Sequence, residues 1–150
     1  MSASSIAPTI HQKIQIPYNY SAGPAVTKFL RGLAEKIIYA SHCLGCGRHS
    51  VPPLSFCGRC WQPIESYVTV EQIGTIQSFV APSAFPAELS AQSTADLLYG
   101  LIRLQDCDTN LIHLVQPKSG SPLRIGDVVR PVWKDERTAS ILDIAYFAAE

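Results

Sequence analysis

Apolar residues along this chain pass from a helical spacing to short strand-like runs, and the change falls at a cluster of cysteines. Val26, Phe29, Leu30 and Leu33 are spaced as on one face of a helix. Ser21-Ala-Gly-Pro24 just before them is a helix-start signal, so the pattern predicts an amphipathic helix beginning near Pro24. The helix is expected to break between Ala34 and Lys36, because the β-branched and aromatic run Ile37-Ile-Tyr39 favours a strand leading into the first cysteine pair. Upstream, Met1 to Pro24 shows only weak alternation at Ile10, Ile14 and Ile16 and reads as an extended arm.

Beyond Ile64 the texture changes to that of strands. Tyr67–Val70, Thr75–Val80, Leu97–Leu104, Asn110–Val115, Val128–Trp133 and Ser140–Phe147 are rich in β-branched, aromatic and leucine residues. Turn signals separate them: Asp106-Cys-Asp-Thr-Asn110 reads as a hairpin tip, Pro117 to Pro122 as a loop, and Gly126-Asp127 as a turn. The stretch Ala81 to Ala95 is too long for a tight turn, and loops of that length often carry function. Short antiparallel strands without long intervening helices predict a small barrel or sandwich, hence a mainly β chain.

Between the two regimes lie Cys43-Leu-Gly-Cys46-Gly47 and Cys57-Gly-Arg-Cys60. Two residues between paired cysteines let both thiolates turn inward, and four thiolates complete a tetrahedral shell with no position left for water. The pattern predicts one structural zinc on Cys43, Cys46, Cys57 and Cys60, with iron in a rubredoxin-like site as the rival. Residues 43–63 are dominated by Gly, Pro and Cys, so the metal must supply their cohesion. Redox-active dithiols would need a βαβ context that the pattern lacks. His42 and His49 flank the knuckles and are read as supporting or surface groups beside a complete set of four cysteines. Cys107 lies between two aspartates, whose charge should raise its pKa and make it a poor nucleophile. His113 falls inside a predicted strand as a packed or edge residue. No Ser-His-Asp order, phosphate loop or HExxH stands in the sequence, so no catalytic residue is assigned.

Charge narrows the partners. Twelve Lys plus Arg balance twelve Asp plus Glu, so no net field favours polyanions. A nucleic-acid-binding module is the alternative function, since Trp61, Tyr67, Phe79, Phe85 and Trp133 offer stacking surfaces, but its basic groove is missing. Without a leader-like start or an apolar run of about 18 residues, a soluble cytoplasmic protein with no membrane partner is expected. Hydrophobic residues make up 47% of the chain and charged ones 16%, a surplus suited to a permanent interface. The helix face of Phe29, Leu30 and Leu33 is the first candidate for it.

The run Ile16-Pro-Tyr-x-Tyr20, Gly23, Phe29-Leu-x-x-Leu33, CLGCG, Val51-Pro-Pro53, CGRC, Gly74-Thr75 and Leu123-Arg-Ile-Gly126-Asp-Val128 resembles the zinc-ribbon plus OB-fold proteins that accompany acyl-CoA enzymes. Those enzymes are thiolases, hydroxymethylglutaryl-CoA synthases, ketosynthase-like acyltransferases and lipid-transfer-protein-type aldolases. The chain departs from the family at Ile37-Ile-Tyr-Ala40, where a glycine often precedes the first knuckle. The resemblance implies an arm and helix over 1–40, a rubredoxin-like ribbon over 41–66 and an OB barrel over 67–150. It further implies a non-catalytic accessory subunit with a larger thiolase-like or ketosynthase-like partner. That subunit would scaffold the complex and help hold or channel an acyl-CoA or acyl substrate, with Ala81–Ala95 as the candidate channel segment.

Overall fold

The computed structural model describes residues 15–18, 20–81 and 97–150. The Ala81–Ala95 loop expected from the sequence falls almost wholly outside them, as does Phe85. Helix α1 runs Gly23–Ala34 with Pro in its first turn, where a missing N–H costs nothing. It stops in a Schellman turn: Ile37 N–H donates to Gly32 O (2.8 Å) and Lys36 N–H to Leu33 O (3.0 Å). Lys36 occupies the left-handed position there, at φ 60°. The helix buries Ala25, Phe29, Gly32 and Leu33. This corrects the interface expectation for that face: Phe29 and Leu33 lie in the chain's own core, with Leu30 packed against it. An isolated helix face offered no sign that the barrel would cover it.

Strands β1 (Tyr39–His42), β2 (His49–Ser50) and β3 (Ser66–Thr69) form an antiparallel sheet in the order β2-β1-β3. Strands β4 (Gly74–Val80), β5 (Leu98–Leu104), β6 (Leu111–Gln116), β7 (Val128–Trp133) and β8 (Ile144–Ala149) close into a barrel in the order β4-β5-β6-β8-β7. Its pairs are antiparallel except β6 with β8, which run parallel. A closed five-stranded Greek-key barrel of this kind is consistent with an OB-fold. Gly100 faces β6 so closely that a Cβ there would collide with the Val115 side chain, so the close approach needs a residue without one.

The last predicted strand is corrected at its start. Ile141–Asp143 form a 3-10 turn, and pairing begins only at Ile144. Ser140 accepts from Leu142 N–H, while the buried Asp143 carboxylate accepts from Thr138 N–H (2.9 Å) and Ser140 N–H (3.1 Å). Local side-chain bonds of this kind compete with a ladder and win where the side chain closes a capping box. Arg137 in the same connection donates to Ala34 O (2.8 Å), Lys134 O and Asp135 O, tying the barrel to the end of α1. One cluster unites Phe29, Leu33, Ile38 and Val51 with the barrel residues Ile76, Ile102, Val115 and Phe147.

Candidate metal centre

Each cysteine pair folds into the same knuckle. Gly47 N–H donates to Cys43 O (2.8 Å) and Trp61 N–H to Cys57 O (3.0 Å), while Cys43 N–H donates to Arg48 O and Cys57 N–H to Gln62 O, both 2.9 Å. Gly47 has φ 72°, a conformation open to a residue without Cβ. The knuckles face each other, so all four Sγ atoms lie within 4.8 Å of one another. Cys43 and Cys60 sulfurs are 3.4 Å apart and those of Cys46 and Cys57 3.5 Å. An ion bonded to four sulfurs at about 2.3 Å would set them about 3.8 Å apart, so the donor set fits one tetrahedral metal after small outward shifts.

The backbone already favours thiolate at one ligand: N–H groups of Cys60 and Arg59 draw the Cys57 thiol down to about 6. At Cys60 the Gln62 N–H pulls the same way, but contact with the Cys43 thiol, desolvation and the remaining thiols prevail and push it up to about 12. A bound dication reverses that opposition, because it needs every ligand deprotonated. Beyond the sulfurs, Ile64 is the one buried apolar partner of the knuckles among the described residues. That leaves metal coordination as the main source of cohesion at this end.

His42 and His49 stand outside the four-sulfur cluster. They pair across β1 and β2, with ring centroids 4.6 Å apart. His49 belongs to a joint that the sequence did not disclose. The barrel's β5–β6 tip reaches the ribbon: Asp108 N–H donates to His49 O (2.9 Å), His49 N–H to the Asp108 carboxylate (2.8 Å), and Val51 N–H to the Thr109 hydroxyl (2.7 Å). The Thr109 hydroxyl in turn donates to Val51 O at 2.9 Å. Asp106-Cys-Asp-Thr-Asn110 was legible as a turn, but nothing local marked Asp108 and Thr109 as the residues that seat the ribbon.

Cys107 sits in that tip, buried, with its thiol pushed up to about 11 by desolvation and then by Asp108 and Asp106. His113 is buried in β6 and packs edge-on to Phe147. Burial lowers its pKa, opposed by backbone contacts with Ile141 and Leu114. Of the proposed stacking aromatics, Trp133 packs against the core and donates to Gln72 Oε1 (3.0 Å), whereas Trp61 is exposed.

With this geometry in hand, residues 31–63 match the ChsH2 rubredoxin-like zinc ribbon domain. This segment is a rubredoxin-like zinc ribbon. Its four cysteines are therefore positioned for one structural zinc, in a domain named for that metal. Two solved structures share this fold over most of the chain. One is a protein of unknown function from the DUF35 family of Sulfolobus solfataricus, 21% identical, covering 85% of this chain and 83% of its own with a TM-score of 0.62. The other is a chain of the Ltp2-ChsH2(DUF35) aldolase, 16% identical, covering 87% of this chain and 98% of its own with a TM-score of 0.64. Both agree with the family that the sequence resembles, and at these identities they establish the fold. No curated protein is significantly similar in sequence. Among the described residues, no helix is long and apolar enough to cross a membrane.

Proposed function

We propose that this chain is a non-catalytic accessory subunit of a thiolase-superfamily complex. In this reading Cys43, Cys46, Cys57 and Cys60 hold a structural zinc, and the chain scaffolds the complex and helps hold its acyl or acyl-CoA substrate. The observation that carries it is the extent of one likeness: this chain spans 98% of a chain of the Ltp2-ChsH2(DUF35) aldolase. The chemistry of its own groups supports the same reading. A four-thiolate shell leaves no metal position for water, and a buried thiol held near 11 is a poor nucleophile at neutral pH.

Co-expression with the thiolase-superfamily genes beside its own tests this. The expected outcome is a stable complex that performs thiolysis, acyl transfer or retro-aldol cleavage, with no turnover by the small chain alone. Independent migration of the chain from every such enzyme, together with full activity of those enzymes in its absence, would sink the proposal.

A further inference from the structure

The two knuckles have matching backbones and differ at one telling position. The residue after each pair's second cysteine is left-handed, and it is Gly47 in the first knuckle but Trp61, at φ 61°, in the second. Glycine adopts that conformation freely, whereas a bulky aromatic does so at a cost. Burial does not offset the cost, because Trp61 is 79% exposed. Leu44 in the first knuckle is 81% exposed, and Phe56, just before the second, is 63% exposed. They share one end of the ribbon: the Gln62 side chain lies against Gly45, and Phe56 bridges to Pro63. Strain retained at an exposed side chain points to a use outside the fold.

We infer that Leu44, Phe56 and Trp61 are the anchor by which this chain docks into an uncharged apolar pocket on a larger protein, the thiolase-superfamily subunit of the reading above, on which this inference rests. Three such side chains offer roughly 400 Å², about half of the ~800 Å² that each partner contributes to a standard interface. Charge agrees with an uncharged receptor. Residues 37–64 contain no Asp or Glu, and Arg48 and Arg59 balance the two negative charges that remain when four thiolates bind a dication. A second copy of this chain is a poor receptor. Its described clefts are lined by charged groups: Lys28, Arg31 and Glu35 beside α1, and Glu71 and Asp106 beside β3.

The test measures the affinity of the zinc-loaded full chain for the thiolase-superfamily subunit that co-purifies with it. Trp61→Gly should keep its zinc and hold or raise its Tm, since it removes strain and no buried contact, yet weaken binding roughly 30-fold or more, as for an interface hot spot. Adding Leu44→Ser and Phe56→Ser should abolish binding, while Ile112→Ser, exposed on the barrel, should leave it unchanged. Wild-type affinity in the triple variant would overturn the inference and leave the accessory reading standing; recovery of no such subunit by the wild type would remove both. The inference also falls if Trp61→Gly loses zinc or Tm. Self-association, or binding to phosphatidylserine vesicles, that the triple variant abolishes would assign this end to another occupant and overturn it too.

Discussion

At the residue scale, chemistry is decided by what surrounds each side chain. Lys36 takes φ 60° at the end of α1, where helices usually place glycine. Lys36→Gly should therefore raise stability by about 1 kcal/mol, measured by urea unfolding of the zinc-loaded protein; unchanged or lower stability would contradict the strain argument. Cys107 gives a pH prediction. Its thiol is held near 11 against an ordinary 9.0 by burial and then by its flanking aspartates. Between pH 9 and 11 the unfolded chain has released a proton that the folded chain keeps, so this group's contribution to stability is intact below 9 and declines across that window. Alkylation of Cys107 in folded, zinc-loaded protein should be slow at pH 8 and accelerate toward pH 11. Rapid labelling at pH 8 would show an activated thiol and reopen the question of catalysis. The direction of that shift was legible in the Asp-Cys-Asp order, whereas its largest cause, burial, was not.

At the element scale, the ribbon is held from two sides, by metal at its tip and by the β5–β6 tip at its base. Thr109 both donates to Val51 O and accepts from the N–H of the buried Val51. Thr109→Val keeps the shape and strands those backbone groups, at a cost of about 1–3 kcal/mol. Denaturant unfolding checks that figure, and a loss below a few tenths would show that water replaces the hydroxyl. At the other end, Cys60→Ser or zinc removal should unfold the knuckles, because coordination is their folding energy. Loss of Trp61-region amide protection in hydrogen exchange is the expected readout; a ribbon equally protected without metal would refute it. The sequence disclosed these elements unevenly. The knuckles, the start of α1 and most of the strands follow from local sequence, since paired cysteines, a helix-start proline and runs of β-branched and aromatic residues act over a few positions. The turn at Ser140–Asp143 misled because Ile141 and Leu142 extend the β-branched and leucine-rich run of the strand, while Asp143 captured the backbone locally. The β5–β6 joint and the burial of Phe29 depend on residues far apart in the chain, which a local pattern does not encode.

At the scale of the whole molecule, the barrel and ribbon invite comparison with nucleic-acid binders, and charge decides between the two uses. Binding a single strand needs a basic groove beside stacking aromatics, because neutralised phosphates release counterions and drive affinity. Here twelve basic residues are matched by twelve acidic ones. The basic residues are also partly committed: Arg137 donates to three carbonyls within the fold, Arg103 to Asn110, and Arg130 pairs with Glu150. Among the aromatics, Trp133 is turned into the core edge and hydrogen-bonded to Gln72. Trp61 and Phe56 remain exposed, but at a ribbon end whose two arginines are offset by the charge of the thiolate cluster. The full chain should therefore bind a fluorescent single-stranded DNA or RNA of about 20 nucleotides with an affinity no better than millimolar at 150 mM salt. Lowering the salt to 50 mM should change little, since few phosphate contacts means a shallow salt slope. A submicromolar Kd that weakens steeply with salt would instead mean that the exposed aromatics serve bases, and would displace the protein-partner reading of that surface.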